Sequence, residues 1–180
     1  MSGRGASQGA DGARHRRVVL DPATIFKALA DAQINYVLIG GLAVGAHGAA
    51  RATEDVDFCP SPDESNLRRL ADLLESIDAV NADQAEFESD ELAAHDFEGL
   101  RSGGNFRLRT RIGALDIMQY VAPFGDDTWK VLDRHAEPRH AFGHVVRVCS
   151  YQDLLEMKQA AGRDQDRIDI ENVKAARREL

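Results

Sequence analysis

Two carboxylates flank a valine in the segment TEDVDF, where Asp55 and Asp57 lie two residues apart. The apolar residues Val56 and Phe58 predict a short strand, and side chains two apart on a strand point to the same face. Two carboxylates about 4 Å apart repel each other by roughly 4 kcal/mol at an effective dielectric constant of about 20. Because folding does not require such a pair, it predicts a divalent cation site, and oxygen ligands of this kind suit Mg²⁺.

A pair of glycines, Gly40 and Gly41, precedes this strand and follows the apolar residues 36–39. A tight glycine turn lets backbone N–H groups approach a phosphate, and a helix that begins there adds a favourable dipole. A double glycine alone is a weak signal, but here a strand with the D-x-D pattern follows it. The two features together predict that a nucleotide phosphate binds beside a metal ion.

A third carboxylate, Asp116, interrupts the otherwise apolar sequence LDIM. On a strand next to the D-x-D pair it would complete a site for two metal ions. One ion would neutralise the phosphates, and the other would lower the pKa of an attacking hydroxyl group. The alternative is that Asp116 is an exposed strand residue facing water.

A lysine near the end of the chain, Lys158, follows Leu154 by four residues and so lies on or beside the buried stripe of a helix. Buried lysines need partners. A nucleotide phosphate or a site carboxylate would serve, and the alternative is that the ammonium group reaches solvent. Asp169 is either its partner or a solvent-facing residue.

The remaining sequence predicts the elements that position these residues. A helix begins near Asp21, which can cap it, with Pro22 in the first turn. Besides the strand around Val56 and Phe58, strands are predicted at 36–39, 106–110, 114–120 and 145–149. Further helices are predicted at 42–50, 66–77, 151–161 and 164–178. Residues 81–104 are polar and acidic and give no clear prediction. The order predicts an α/β (α+β) fold with a mixed, largely antiparallel sheet flanked by helices.

These motifs resemble the DNA polymerase beta-like nucleotidyltransferase superfamily, whose pattern is a hydrophobic residue, G-[GS], about a dozen residues, and then D-x-[DE]. The segment GGLAVGAHGAARATEDVDF is similar, more narrowly, to small stand-alone members related to AbiEii-type toxins. The ending VCSYQDLLEMKQAAGRDQDRIDI adds to this resemblance through Lys158, Arg163, Asp166 and Asp169. The chain departs from the pattern at Gly41, where a serine is frequent, and at Gln165, where a basic residue is common.

The resemblance implies a nucleotidyltransferase that moves a nucleoside monophosphate from an NTP to a hydroxyl acceptor and releases pyrophosphate. Two Mg²⁺ ions, with Mn²⁺ as the alternative, would be held by Asp55, Asp57 and Asp116. The triphosphate would be bound by Gly40, Gly41 and Lys158. The toxin relatives imply RNA, such as a tRNA end, or a partner protein as the acceptor, and a cognate antitoxin as a partner.

Several further residues have two interpretations. Arg51 and Thr53 either cap the preceding helix or contact phosphate, and His47 is either a packing residue or a catalytic one. Alternating arginines share one face of a strand, where they either keep an exposed edge from aggregating or follow the phosphates of an RNA acceptor; they are Arg107, Arg109 and Arg111.

The composition, with 43% hydrophobic and 29% charged residues among 180, is that of a globular protein. We expect a flexible arm at residues 1–17 and a single domain at 18–180, with helices 151–180 packed on it.

No apolar run approaches the roughly 20 residues that span a bilayer. The N-terminus lacks the hydrophobic centre of a secretory signal, and two cysteines make no disulfide framework, so a cytoplasmic location is expected. A net charge of −8 argues against nucleic-acid binding driven by overall charge, but a local basic groove remains compatible with it.

Two rival functions stay open at this stage. The first is a small-molecule transferase of the aminoglycoside type, for which the polar residues 83–98 would supply an acidic acceptor pocket. The second is a catalytically inactive nucleotide-binding module that keeps the fold. The presence of all three aspartates, Asp55, Asp57 and Asp116, argues against the second.

Overall fold

The computed structural model describes residues 20–82 and 94–178, so the predicted arm at 1–17 and most of the acidic segment 83–98 lie outside the described residues. The strands are β1 (Tyr36–Leu38), β2 (Asp55–Pro60), β3 (Val80–Asn81), β4 (Asn105–Thr110), β5 (Gly113–Met118), β6 (Glu137–Ala141) and β7 (His144–Val148). The helices are α1 (Pro22–Asp31), α2 (Gly40–Ala46), α3 (Glu64–Ser76), α4 (Phe97–Ser102), α5 (Thr128–His135), α6 (Tyr151–Ala161) and α7 (Asp164–Arg178).

The strands form a seven-stranded sheet in the order β3-β4-β5-β2-β1-β7-β6. The pairs β2–β5 and β1–β7 run parallel, and the other neighbouring pairs run antiparallel. The predicted mixed, largely antiparallel sheet with flanking helices is therefore confirmed. Within the described residues no helix has both the length and the apolar character that a membrane crossing needs.

Local signals explain where several helices begin and end. The carboxylate of Asp21 accepts the backbone N–H of Ala23 at 3.1 Å and caps α1, with Pro22 as the first helical residue. Helix α6 is capped by Ser150, whose hydroxyl accepts the N–H of Asp153 at 3.1 Å. It ends at Gly162, whose φ of 65° is left-handed. The last two helices have the predicted bounds.

The structure differs from the prediction in four short elements and in one helix. The elements β3, α4, α5 and β6 were not predicted, and β6 is almost entirely exposed, so it lacks the alternation of apolar residues that marks a strand. Helix α2 was predicted at 42–50 but begins at the glycines and ends at Ala46. It stops early because Gly48 has a φ of 92°, outside the right-handed helical region.

The two faces of β4 and β5 have opposite characters. Phe106 and Leu108 of β4 and Leu115 and Ile117 of β5 are at most 2% exposed and belong to the core. The residues between them point the other way, and the arginines there are exposed. This alternation leaves one face of the sheet for polar side chains, and the candidate site lies on that face.

Candidate functional site

Asp55, Asp57 and Asp116 come together because β2 and β5 are neighbouring parallel strands. Asp57 lies directly opposite Asp116, and Asp55 lies opposite Ala114. One carboxylate oxygen from each aspartate lies within 4.8 Å of the others, and all three side chains are half-buried. The predicted juxtaposition of Asp116 with the D-x-D pair is thus present in the structure.

The pKa of Asp57 shows the electrostatic strain of this cluster. Burial of its carboxyl group, together with the neighbouring charges of Asp55 and Asp116, raises the pKa from 3.8 to about 7, and burial is the largest of these causes. The N–H of Gly41 and the charge of Lys158 act in the opposite sense but are outweighed. The cluster therefore holds more negative charge than its surroundings stabilise.

The aspartate cluster fits a divalent cation by the chemistry of its donors. Carboxylate oxygens are the ligands that Mg²⁺ takes from proteins. Two oxygen ligands on opposite sides of one Mg²⁺ ion are roughly 4 Å apart, and the carboxylate oxygens of the three aspartates lie within 4.8 Å of one another. A cation between Asp55, Asp57 and Asp116 would also remove the repulsion that raises the pKa of Asp57.

The glycine turn packs directly against Asp57. Gly40 has a φ of 64°, and a Cβ atom there would lie 2.0 Å from Oδ2 of Asp57, so a larger residue at this position would displace the carboxylate. The N–H of Gly41 donates to the same oxygen at 3.3 Å. The double glycine thus places backbone beside the cluster, and phosphate binding by Gly40 and Gly41 stays a prediction.

Thr53 orients the carboxylate of Asp55. Its hydroxyl donates to Oδ1 of Asp55 at 2.7 Å, and its side chain fills the space beside Gly41, where a Cβ atom would lie 2.8 Å from the hydroxyl oxygen. Arg51 lies in the same loop, and its guanidinium is 3.1 Å from Oδ1 of Asp169 and also donates to the carbonyl of Ala52.

The predicted lysine forms a buried ion cluster between α6 and α7. Lys158 is 8% exposed, and its Nζ lies 3.0 Å from Asp166 Oδ1 and 2.7 Å from Asp169 Oδ2. Asp169 is therefore a partner of Lys158, which decides between the two interpretations of this aspartate. Arg163 donates to Asp166 at 2.7 Å, and Gln165 donates to Asp169 at 2.9 Å.

The pKa shifts in this ion cluster run opposite to that of Asp57. Burial disfavours the ionised form of Asp166 and Asp169. Hydrogen bonds from Arg163 and Lys158 to Asp166, and from Lys158 and Gln165 to Asp169, outweigh burial and lower both pKa values. The two carboxylates are therefore ionised and balanced by cations of the chain itself.

His47 contacts a different part of the fold. It follows α2, and its Nε2 atom lies 2.9 Å from the carbonyl oxygen of Cys149 at the end of β7. Its ring meets the ring of Tyr151 edge to face at 6.2 Å, and burial lowers its pKa. These contacts are those of a packing histidine, and a catalytic role for His47 stays a prediction.

The arginine strand divides between two surroundings. Arg107 lies directly opposite Asp116, with Nε 3.7 Å from Oδ2, and Arg109 lies opposite Ala114 on the same face. Arg111 instead pairs with Asp78 at 3.6 Å and donates to a carbonyl at the end of α3. Two of the three arginines therefore share the face of the aspartate cluster.

Sequence reasoning missed the contact between Arg107 and Asp116, although a signal for it was present. The hairpin turn is short, with Thr110 paired to Gly113. In an antiparallel pair each step back on one strand is matched by a step forward on the other. Three steps from this turn reach Arg107 and Asp116. The register of β4 on β5 therefore follows once the length of the turn is known. The turn does not reveal that β5 lies beside β2.

No protein-family model and no curated protein matches the sequence. Solved structures do match. The lincosamide antibiotic adenylyltransferase LnuA, crystallised with lincomycin, is similar over 88% of this chain and 99% of its own, with a TM-score of 0.57 and 14% identity. An antigenic nucleotidyltransferase-like protein from Paracoccidioides brasiliensis is similar over 86% of this chain and 72% of its own, with a TM-score of 0.50 and 20% identity. The chain therefore has the nucleotidyltransferase fold.

Proposed function

We propose that this protein is a metal-dependent nucleotidyltransferase that moves a nucleoside monophosphate from an NTP to a hydroxyl acceptor. The observation that supports this most strongly is the convergence of Asp55, Asp57 and Asp116 beside the Gly40–Gly41 turn. The nucleotidyltransferase fold agrees with it. A purely structural role would not require three neighbouring carboxylates whose burial and mutual repulsion raise the pKa of Asp57 to about 7.

Asp55, Asp57 and Asp116 would hold Mg²⁺, and Mn²⁺ is the alternative ion for the same oxygen ligands. When bound, such a cation neutralises phosphate charge and lowers the pKa of the attacking hydroxyl group. Thr53 would keep Asp55 in its ligating orientation through the hydrogen bond of 2.7 Å.

The reaction forms a bond between the acceptor oxygen and the α-phosphorus, breaks the bond from that phosphorus to the bridging oxygen, and releases pyrophosphate. Asp116 lies on the strand farther from the glycine turn, so we assign it to the acceptor side, where its carboxylate takes the hydroxyl proton. We assign the backbone at Gly40 and Gly41 to the phosphates, because this turn places main chain against Asp57.

The basic residues of α6 and α7 receive different roles. Lys158 is enclosed and paired with two carboxylates, so we assign it to holding the two helices together and to stabilising the ionised form of Asp57. Arg163 has a side chain that is 73% exposed, and the charge of Asp57 acts on it. It is therefore better placed than Lys158 to contact a triphosphate. Arg51 would hold the loop before β2 against α7.

An anionic acceptor, such as the end of an RNA, is the first candidate. Arg107 and Arg109 lie on the face of the aspartate cluster and next to Asp116, which we assign to the acceptor side. A row of guanidinium groups attracts phosphates and repels a polycationic aminoglycoside. The narrower resemblance to AbiEii-type toxins agrees with RNA or a protein hydroxyl as the acceptor and would add a cognate antitoxin as a partner.

A small hydroxyl compound is the second candidate acceptor. Its support is the similarity of the fold to a lincosamide adenylyltransferase crystallised with lincomycin, which extends over 99% of that chain.

The test is transfer of label from each of four α-³²P NTPs in the presence of Mg²⁺. Total RNA, a lincosamide and an aminoglycoside are offered in separate reactions, and the products are identified by mass spectrometry. The control pair is Asp57→Asn, which removes a cluster carboxylate, and Asp72→Asn, which removes an exposed one on α3. We expect labelled RNA from the wild type and from Asp72→Asn, and none from Asp57→Asn.

Other outcomes of the transfer test have clear meanings. If the lincosamide is labelled and the RNA is not, the acceptor is a small hydroxyl compound instead of RNA. Mg²⁺-dependent NTP binding by calorimetry, without transfer to any acceptor, would indicate the inactive nucleotide-binding module. Transfer that survives in Asp57→Asn would refute the assigned role of the aspartate cluster.

A further inference from the structure

Arg107 is the only side chain of β4 that the sheet register aligns with a cluster aspartate. The described β4–β5 pairing sets Arg107 against Asp116, and the β2–β5 pairing sets Asp116 against Asp57, so the three residues form one row across the sheet. Directly opposed residues on antiparallel strands have Cβ atoms about 5 Å apart. The backbone thus brings the base of the Arg107 side chain beside Asp116, and the long side chain can turn its guanidinium either to this carboxylate or away from it.

The pair between Arg107 and Asp116 is loose. Its Nε–Oδ2 distance is 3.7 Å, and the Arg107 side chain is 65% exposed. The Asp116 side chain is only 15% exposed, but 3.7 Å is longer than a hydrogen bond, so the pair contributes little to stability. The guanidinium can therefore exchange Asp116 for another anion at little cost, which a buried and fully bonded pair such as that of Lys158 could not do.

We propose that Arg107 exchanges partners during the reaction cycle: it pairs with Asp116 while the cluster lacks a divalent cation, and it binds an anionic group of the acceptor once a cation occupies the cluster. The second half of this proposal rests on the proposed function. It makes Arg107 a residue that lowers the cation affinity of the free protein and selects acceptors that carry a phosphate beside the reacting hydroxyl group.

Simple electrostatics gives the direction and size of the first effect. A divalent cation bound by Asp116 would lie near the guanidinium, and a unit charge about 6 Å from a divalent ion lowers the affinity about tenfold even at the dielectric constant of water. Removing the charge of Arg107 should thus strengthen cation binding. A residue with a merely structural role would leave the affinity unchanged or weaken it.

Arg109 provides a matched control. It is on the same strand and face, and its substitution changes the net charge equally, but it lies opposite Ala114 instead of an aspartate. In its row across the sheet the cluster aspartate is Asp55, two strands away, whereas Asp116 is on the strand next to Arg107, so we expect its charge to be more strongly screened by salt. The pair Arg107→Gln and Arg109→Gln separates a local effect at Asp116 from a general effect of charge.

The first experiment titrates each protein with Mn²⁺ alone and follows binding by calorimetry and by the electron paramagnetic resonance of the free ion. We expect Arg107→Gln to bind Mn²⁺ about tenfold more tightly than the wild type, Arg109→Gln to stay within about twofold of it, and Arg107→Lys to behave as the wild type. Equal affinities in Arg107→Gln and Arg109→Gln would overturn the proposal. This result does not depend on any transfer activity, so it is distinguishable from failure of the proposed function.

The second experiment measures the fluorescence anisotropy of a labelled 12-nucleotide RNA in saturating Mn²⁺. We expect the RNA affinity to fall several-fold in Arg107→Gln and to be restored in Arg107→Lys, so that one substitution tightens cation binding and weakens RNA binding. Without Mn²⁺ the wild type and Arg107→Gln should differ less, because Arg107 is then held by Asp116. A wild type that does not bind this RNA in Mn²⁺ would overturn the acceptor half of the proposal.

Discussion

Two carboxylate clusters of this molecule have opposite electrostatic characters, although the charge of Lys158 acts on both. The cluster on β2 and β5 brings three aspartates together, and the pKa of Asp57 rises to about 7. The cluster between α6 and α7 contains two aspartates that are almost fully buried, yet their pKa values fall. Burial alone would raise the pKa in both, so the difference comes from the partners.

The partners of each cluster indicate its role. Asp166 and Asp169 receive charged hydrogen bonds from Lys158, Arg163 and Arg51, so the chain itself supplies the balancing cations. In the β2–β5 cluster Arg107 contacts Asp116 loosely, and the N–H of Gly41 and the charge of Lys158 do not outweigh the causes that raise the pKa of Asp57. A balanced cluster holds helices together, whereas an unbalanced cluster is suited to an ion from solution.

The largest effect is expected from Lys158→Met, which removes the central cation of the balanced cluster. Two buried carboxylates would lose the buried cation that they share and keep only Arg163 and Arg51, and breaking a buried pair on one side costs about 3–5 kcal/mol of unfolding free energy. Urea denaturation at pH 7.5 measures this loss. Adding Asp166→Asn and Asp169→Asn to the same protein should recover most of it, because the unpaired charges are then removed as well. If the stability of Lys158→Met is unchanged, Lys158 does not balance the charges of Asp166 and Asp169, and the distinction between the two clusters is refuted.

The second effect is stabilisation of the unbalanced cluster by Mg²⁺. A ligand that binds only the folded state adds about 2.7 kcal/mol at a concentration 100 times its dissociation constant. We therefore expect thermal unfolding at pH 8 to shift upward with Mg²⁺ in the wild type and in Asp72→Asn, but not in Asp57→Asn. An equal shift in all three proteins would mean that the ion binds elsewhere.

The third effect is expected from Asp57→Asn in EDTA at pH 8, without a bound cation. We expect this variant to be more stable than the wild type by about 1–3 kcal/mol. The folded pKa of about 7 exceeds the ordinary value of 3.8, so the folded protein binds the extra proton between these values. The contribution of Asp57 to stability is therefore present below about pH 4 and is lost as the pH rises through 7.

The pH dependence of this difference is the sharper readout. The stability of Asp57→Asn relative to the metal-free wild type should increase between pH 4 and pH 8 and change little above that range. Denaturation curves at five pH values measure it. A difference that is constant with pH would show that Asp57 does not carry the raised pKa.

The smallest effect is expected from Arg163→Gln. This arginine donates to the buried Asp166, but its own side chain is 73% exposed and Lys158 still pairs with Asp166 after the substitution, so we expect a loss of less than about 1 kcal/mol. The substitution changes the net charge as Lys158→Met does, so the two variants compare a buried cation with an exposed one. A loss of stability as large as that of Lys158→Met would refute the distinction.

Much of the fold followed from local patterns. Helix α1 was marked by Asp21 and Pro22, and α6 by Gly162 at its end, because caps depend on a few neighbouring residues. The polar strand β6 and the short helices α4 and α5 escaped prediction, because their formation depends on what they pack against and not on an apolar period.

The candidate site divides in the same way. That Asp55 and Asp57 share a face follows from the period of a strand and needs no partner. The burial of Lys158 followed from its spacing to Leu154, but its pairing with both Asp166 and Asp169 did not. The requirement for glycine at position 40 was expected from a turn, whereas its cause is the carboxylate of Asp57.

The sequence alone therefore determined the residue types of the candidate site and their local spacing, because strand and helix periods and glycine turns act over a few residues. Only the tertiary structure decided which of those residues meet. The parallel pairing of β2 with β5 brings Asp116 to Asp57, and the packing of α7 on α6 satisfies Lys158. The physical reason is that charge interactions depend on distance in space, and residues 57 and 116 become neighbours only when the sheet forms.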